Sequence, residues 1–160
     1  MLPPVSAGYE IEIDDPQRED VRLVLEQHLA FARAATPAEY VHALDVDDLL
    51  DPSITFYSVR SEGRIVGVGA IKQLDPHHVE LKSMHTIREE RGRGVARALV
   101  GHLLAVARSR GVSRVSLDTG TTEEFEAARR LYRAAGFVPC EPFGDYSESP
   151  RNFFMTLELE

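Results

Sequence analysis

Cysteine is nearly missing from this 160-residue chain. Cys140 is the single one, which excludes an intramolecular disulfide and a thiolate-based metal cluster. No paired base is legible beside it, so a small apolar filler is its expected role rather than a nucleophile. Positive charge is short as well: 18 Lys and Arg stand against 26 Asp and Glu, for a formal net charge of −8 and a pI near 5.3. A general affinity for nucleic acid or an anionic membrane needs a basic face, so neither is expected as a partner, and any anionic ligand must be attracted locally. No stretch approaches the ~20 apolar residues of a membrane span. Met1 to Gly8 has neither the basic start nor the apolar run of a secretory signal, so it reads as a flexible tail and a cytoplasmic location is expected. His77 and His78 imitate a metal pair, but neighbours in a strand point to opposite faces and no third ligand is evident. No metal is expected.

What is present is an ordinary globular mixture, 43% hydrophobic and 28% charged, of a length that fits one domain over residues 1–160. Tyr9 to Ile13 alternates as a first strand, and Val21, Val24, Leu25, His28, Leu29 and Ala32 mark an amphipathic helix ending before Thr36-Pro37. Tyr40, Val41, Leu44 and Leu49 predict a second helix from Pro37 to Leu50, stopped by Asp51-Pro52. Three strands follow: Ile54–Val59, Ile65–Ile71 after the Ser61-Glu62-Gly63-Arg64 turn, and Val79–Ile87. A helix from Gly94 to about Arg110, a strand from Val112 to Leu117, a helix carrying Phe125, Ala128, Leu131, Tyr132 and Ala135, and a strand from Phe153 to Leu159 complete the order. With no internal repeat or dividing linker, this order predicts an α/β chain with a single mixed sheet flanked by helices.

Between the third of those strands and the next helix lies Arg91-Gly92-Arg93-Gly94-Val95-Ala96. A glycine-bearing turn that opens a helix presents free backbone N–H groups at the positive end of the helix dipole, and arginines add charge that cannot be titrated away. That is a place to hold phosphate. A P-loop would need a Gly-Lys-Ser/Thr ending and a Rossmann turn a third glycine with an acidic residue about 20 positions on. Both are absent here, while a plain strand-to-helix corner is the structural alternative.

Arg-x-x-Gly-x-Ala, Arg91 to Ala96, resembles the pyrophosphate-binding turn of the GNAT superfamily of N-acetyltransferases. The run Ala128-Arg129-Arg130-Leu131-Tyr132-Arg133-Ala134-Ala135-Gly136-Phe137 resembles that family's Ala-x-x-Leu-Tyr-x-x-x-Gly-Phe motif, and the likeness extends over about Ile54 to Leu159. Glu80 to Met84 and Cys140 to Tyr146 also resemble a bacterial subgroup described as YsnE-like. The resemblance implies a GNAT-type fold with a mostly antiparallel sheet, and acetyl-CoA as cosubstrate without a metal. It implies a phosphate cradle from Arg91, Gly92, Arg93, Gly94, Val95, Ala96 and Arg97, and a pantetheine arm along Met84 and Thr86, with a backbone N–H near His85 facing the thioester carbonyl. Tyr132 matches the family tyrosine that protonates the coenzyme sulfur, although a buried aromatic on the inward stripe is the plain alternative. Where many relatives have asparagine, seven residues before that tyrosine, this chain has Phe125.

An alkylamine with a pKa near ~10 arrives as ammonium and needs a base. Glu80, eleven positions before Arg91, resembles the strand glutamate that fills this role, and it could equally be a solvated carboxylate or the partner of Lys82. The acceptor is expected to enter opposite the cofactor, among His28, Arg33, Tyr40, Lys72, Lys82, Tyr146 and Arg151. The resulting expectation is an N-acetyltransferase acting by direct attack on a primary amine of a small molecule or protein, with a homodimer as a family-level possibility. Its rival is a non-catalytic acyl-CoA-binding sensor or interaction module.

Overall fold

The computed structural model describes residues 8–160. Most of the expected tail, residues 1–7, lies outside the described residues. Ten elements carry the fold: β1 (Glu10–Ile13), α1 (Glu19–Ala35), β2 (Ile54–Ser61), β3 (Arg64–Asp75), β4 (His78–Thr86), α2 (Val95–Ser109), β5 (Arg114–Gly120), α3 (Glu126–Ala134), β6 (Val138–Pro139) and β7 (Asn152–Glu158). The seven strands form one sheet in the order β1-β2-β3-β4-β5-β7-β6. Only β4 and β5 run parallel, so the sheet is mixed and mostly antiparallel, as expected.

Each face of the sheet has its own core. On one, Leu99, Leu103 and Val95 of α2 meet Leu81, Val115, Leu117 and, from the α3 segment, Tyr132 and Phe137. On the other, Val21, Val24 and Leu25 of α1 cover Phe56, Val68 and Ala70. Burying each such large aliphatic side chain is worth about 1.5–3 kcal/mol, which is what fixes the helices to the sheet. Gly67 and Gly69 of β3 let α2 lie close. A Cβ on Gly69 would stand 2.7 Å from Leu99 Cδ2 and 2.6 Å from Met84 Sδ, inside contact distance.

The segment 37–50 departs from expectation. It forms two short 3-10 turns, Ala38–Tyr40 and Asp48–Leu50, rather than a helix. Its apolar positions have helical spacing, yet its backbone groups are claimed by other partners. Asn152 Nδ2 donates to the Tyr40 carbonyl at 3.0 Å and Lys82 Nζ to the His42 carbonyl at 3.1 Å. Asp45 and Asp48 bond each other's amides, at 2.9 and 3.2 Å, in the local alternative to helix that aspartate favours. The helix expected around Phe125 likewise starts late: Glu123–Phe125 is a 3-10 turn, and α3 begins at Glu126.

Candidate active site

The sheet opens where β4 and β5 part. Their parallel pairing ends at Leu81↔Leu117, while β4 continues to Thr86 and β5 to Gly120. A bulge assists the parting, because β3 advances from Val68 to Ala70 while β4 runs from His85 back to Lys82. Ser83 sits in that bulge at φ 55°, a left-handed conformation uncommon outside glycine, with its buried hydroxyl unpartnered. The gap between the strands is a cavity of about 480 Å³, a size that suits a small ligand or the arm of a larger one.

One end of the cavity is the glycine turn. Gly92 and Gly94 have φ of 77° and 89°, which only glycine adopts freely, and a Cβ at either would meet no atom within 4 Å. The space in front of the turn is therefore open, and the amides of the first turn of α2 lack helical partners there. Arg91, Gly92, Gly94, Val95, Ala96 and Arg97 line the cavity, as do Met84, His85 and Thr86. Arg93 does not. Its guanidinium reaches Glu90 Oε2 at 3.5 Å and its carbonyl accepts a bond from Tyr9 at 3.0 Å. Arg91 donates to the Thr86 carbonyl and lies 5.6 Å from the centre of the Phe31 ring.

Tyr132 lines the cavity from α3, with its ring edge-on to Phe137 at 5.7 Å. Burial pushes its phenol well above the usual tyrosine range, so the hydroxyl keeps its proton at any ordinary pH. Phe125 packs on Gly120, where a Cβ would fall 2.0 Å from the ring, and forms an edge-on pair with Phe31 at 5.3 Å.

On the α1 face of the sheet, Glu80 is 1% exposed and is not among the cavity's lining residues. Tyr146 donates to its Oε2 at 2.7 Å and accepts from Lys82 Nζ at 2.6 Å, while the ammonium lies 3.3 Å from the same carboxylate oxygen. Lys82 is thus the partner of Glu80, in a dry setting rather than a solvated one. Burial and the Glu80 charge raise the Tyr146 phenol strongly, so it too stays protonated.

Of the residues expected around the acceptor, His28, Tyr40, Lys82 and Arg151 line the cavity; Arg33, Lys72 and Tyr146 do not. His28 and His85 meet Nδ1 to Nδ1 at 3.3 Å, and burial lowers them to about 4 and about 3. Cys140 is half-buried and burial raises its thiol, which argues against a resident thiolate.

Sequence reasoning missed a pair at the apex of the gap. His42 Nδ1 lies 2.5 Å from Asp118 Oδ2, which also accepts from Asn152 Nδ2 at 3.3 Å, and all three residues line the cavity. Burial raises the Asp118 carboxyl above its ordinary range, and Oδ1 is buried without a partner. His42 lies within the segment expected to be helical and Asp118 just past the strand expected to end at Leu117, 76 positions away, so nothing local points to their meeting.

Comparison with known proteins places this geometry. Residues 18–137 match the model of the Acetyltransferase (GNAT) family. The chain is 42% identical to the uncharacterized N-acetyltransferase YsnE of Bacillus subtilis over 93% of its own length and 99% of that protein's. Among solved structures, one assigned to an acyl-CoA N-acyltransferase of Klebsiella pneumoniae superposes with a TM-score of 0.80 at 24% identity, covering 97% of this chain and 100% of that one. A GNAT family acetyltransferase from Elizabethkingia anophelis with acetyl-CoA bound gives 0.72 at 16% identity, covering 96% and 100%.

Proposed function

The chain belongs to the GNAT family of acetyltransferases, and from that premise we propose that it transfers an acetyl group from acetyl-CoA to a primary amine of a small molecule or protein, by direct attack and without an acyl-enzyme. The observation that carries this reading is the continuity of one cavity from the glycine turn, through the gap between β4 and β5, to the hydroxyl-bearing ring of Tyr132. A pyrophosphate fits the first part: the glycines leave the space in front of the turn open, and Arg91 and Arg97 flank it. Acetyl-CoA, when bound, supplies the activated acyl group; the remaining steps belong to the protein.

The amides and side chains from Arg91 to Arg97 hold the phosphates, except Arg93, which stands off the cavity wall with its side chain on Glu90. The bulge at Ser83 turns the β4 backbone toward the gap, where Met84, His85 and Thr86 flank the thioester arm and an N–H near His85 polarises its carbonyl. Tyr132, kept protonated by burial, donates its proton to the departing sulfur. Glu80 can influence the amine's proton only through Tyr146 and Lys82, which cap its carboxylate. No helix among the described residues is long and apolar enough to cross a membrane. A cytoplasmic site of action belongs to the same proposal.

Incubation of the pure protein with acetyl-CoA and a panel of primary amines, following free-thiol release, tests the reading. Turnover with at least one amine is expected. Thermal stabilisation by CoA with no turnover across a broad panel would favour a binding module instead, and no stabilisation by CoA would end both readings.

A further inference from the structure

Three sets of groups compete to take a proton from an amine entering the gap. Glu80 is capped by Tyr146 and Lys82 and does not reach the cavity wall. His28 and His85 bond to each other through Nδ1, which requires one of those nitrogens to be proton-free, and their surroundings disfavour a cation on either. His42 differs from both. Its side chain is 25% exposed and lines the cavity, and with Nδ1 engaged by Asp118 its Nε2 is the ring's free lone pair. The ring stacks on Tyr146 at 4.5 Å and 19°, and its carbonyl accepts from Lys82, so both plane and backbone are fixed. Behind it, Asp118 is 7% exposed, with Oδ2 shared between His42 and Asn152 and Oδ1 buried without a partner. Among the described residues a carboxylate so placed has no permanent cation in contact, and a proton arriving on His42 creates one.

We propose that His42 is the proton acceptor for the amine, with Asp118 as its positioning residue; the assignment rests on the acetyl-transfer reading above. The amine enters as ammonium and gives one proton to His42 Nε2. Its freed lone pair attacks the thioester carbonyl carbon, the C–N bond forms, and the C–S bond breaks with its electron pair going to sulfur. Tyr132 protonates that sulfur and is restored by the second proton leaving the nitrogen, while His42 returns its proton to solvent. Ammonium and thioester thereby become amide, thiol and one free proton.

Acceptor basicity separates this role from a structural one, because 2-phenylethylamine arrives charged near neutrality whereas 2,2,2-trifluoroethylamine arrives largely neutral. His42→Ala, which keeps the carbonyl bonded by Lys82, should lower kcat/KM about 100-fold for phenylethylamine and less than about fivefold for trifluoroethylamine. Thermal stabilisation by CoA should be unchanged. His42→Gln should behave likewise and guards against misfolding of the alanine variant. Independently of turnover, ring 15N shifts should show His42 as the Nδ1–H tautomer, lost in Asp118→Ala. Equal losses with both amines, losses under about threefold with both, or a bare Nδ1 in the wild type would overturn the assignment. If the wild type acetylates both amines and His42→Ala is unimpaired, only the assignment fails; if the wild type is stabilised by CoA yet acetylates no amine of the broad panel, these two included, the transfer reading fails and the assignment with it.

Discussion

Replacing Lys82 by methionine should destabilise the fold far more than removing one surface cation would. The Lys82 ammonium is 7% exposed and makes three contacts: Glu80 Oε2 at 3.3 Å, the Tyr146 hydroxyl at 2.6 Å and the His42 carbonyl at 3.1 Å. Methionine keeps the stem and deletes the charge. Glu80, 1% exposed, is then left with Tyr146 as its only remaining bonded partner among the described residues. Stranding a buried charge in this way costs about 3–5 kcal/mol, whereas exchanging both members of a buried pair for apolar residues is often close to neutral. The double variant Lys82→Met/Glu80→Leu should therefore lie within about 2 kcal/mol of wild type and be more stable than Lys82→Met alone. Urea unfolding at pH 7, followed by circular dichroism, measures all four species of the cycle. At this chain length the single variant should also melt about 6–20 °C lower. Additive losses in the double variant, or a loss below about 1 kcal/mol for Lys82→Met, would mean that Glu80 is compensated by something other than Lys82.

Other outcomes follow from the same geometry. Tyr132→Phe should lower kcat about 100-fold, read by free-thiol release, while leaving stability and CoA-induced thermal stabilisation unchanged; loss of CoA binding instead would show the ring, not the hydroxyl, to be what matters. Gly120→Ala sets a Cβ against the Phe125 ring and should cost about 1–3 kcal/mol in urea unfolding, a loss that should vanish when Phe125→Ala is already present. The histidine pair should make stability sensitive to mild acid. With folded values of about 4 and about 3 against an unfolded value near 6.5, the unfolded chain takes up protons first as pH falls. The stabilisation is complete above about pH 6.5 and is lost toward pH 4, by up to about 1.4 kcal/mol per pH unit for each ring. NMR should find both rings neutral at pH 5, and titration of either near 6.5 would refute this.

The two halves of the site differ in how far they can be read from the sequence, and the reason is physical. The half proposed to hold the cofactor is local: it is one contiguous turn with glycines at φ of 77° and 89°, and Tyr132 sits on one short helix beside Phe137. Backbone conformation and helical period write such features directly into neighbouring residues. The acceptor half is built by contacts across the fold, with 76 positions between His42 and Asp118 and 34 between Asp118 and Asn152. The same contacts explain the misreading of segment 37–50. Tyr40, Val41 and Leu44 have helical spacing, but the carbonyls of residues 40 and 42 are taken by Asn152 and Lys82, side chains no local window contains. The error in secondary structure and the hidden His42 therefore have one cause: the segment that fails to become a helix is the segment that delivers an imidazole to the gap. In a regular helix the carbonyls of Tyr40 and His42 would be occupied by the amides four residues on. Lys82 could then not fix the backbone from which His42 reaches Asp118, so the irregular backbone is a condition of the site.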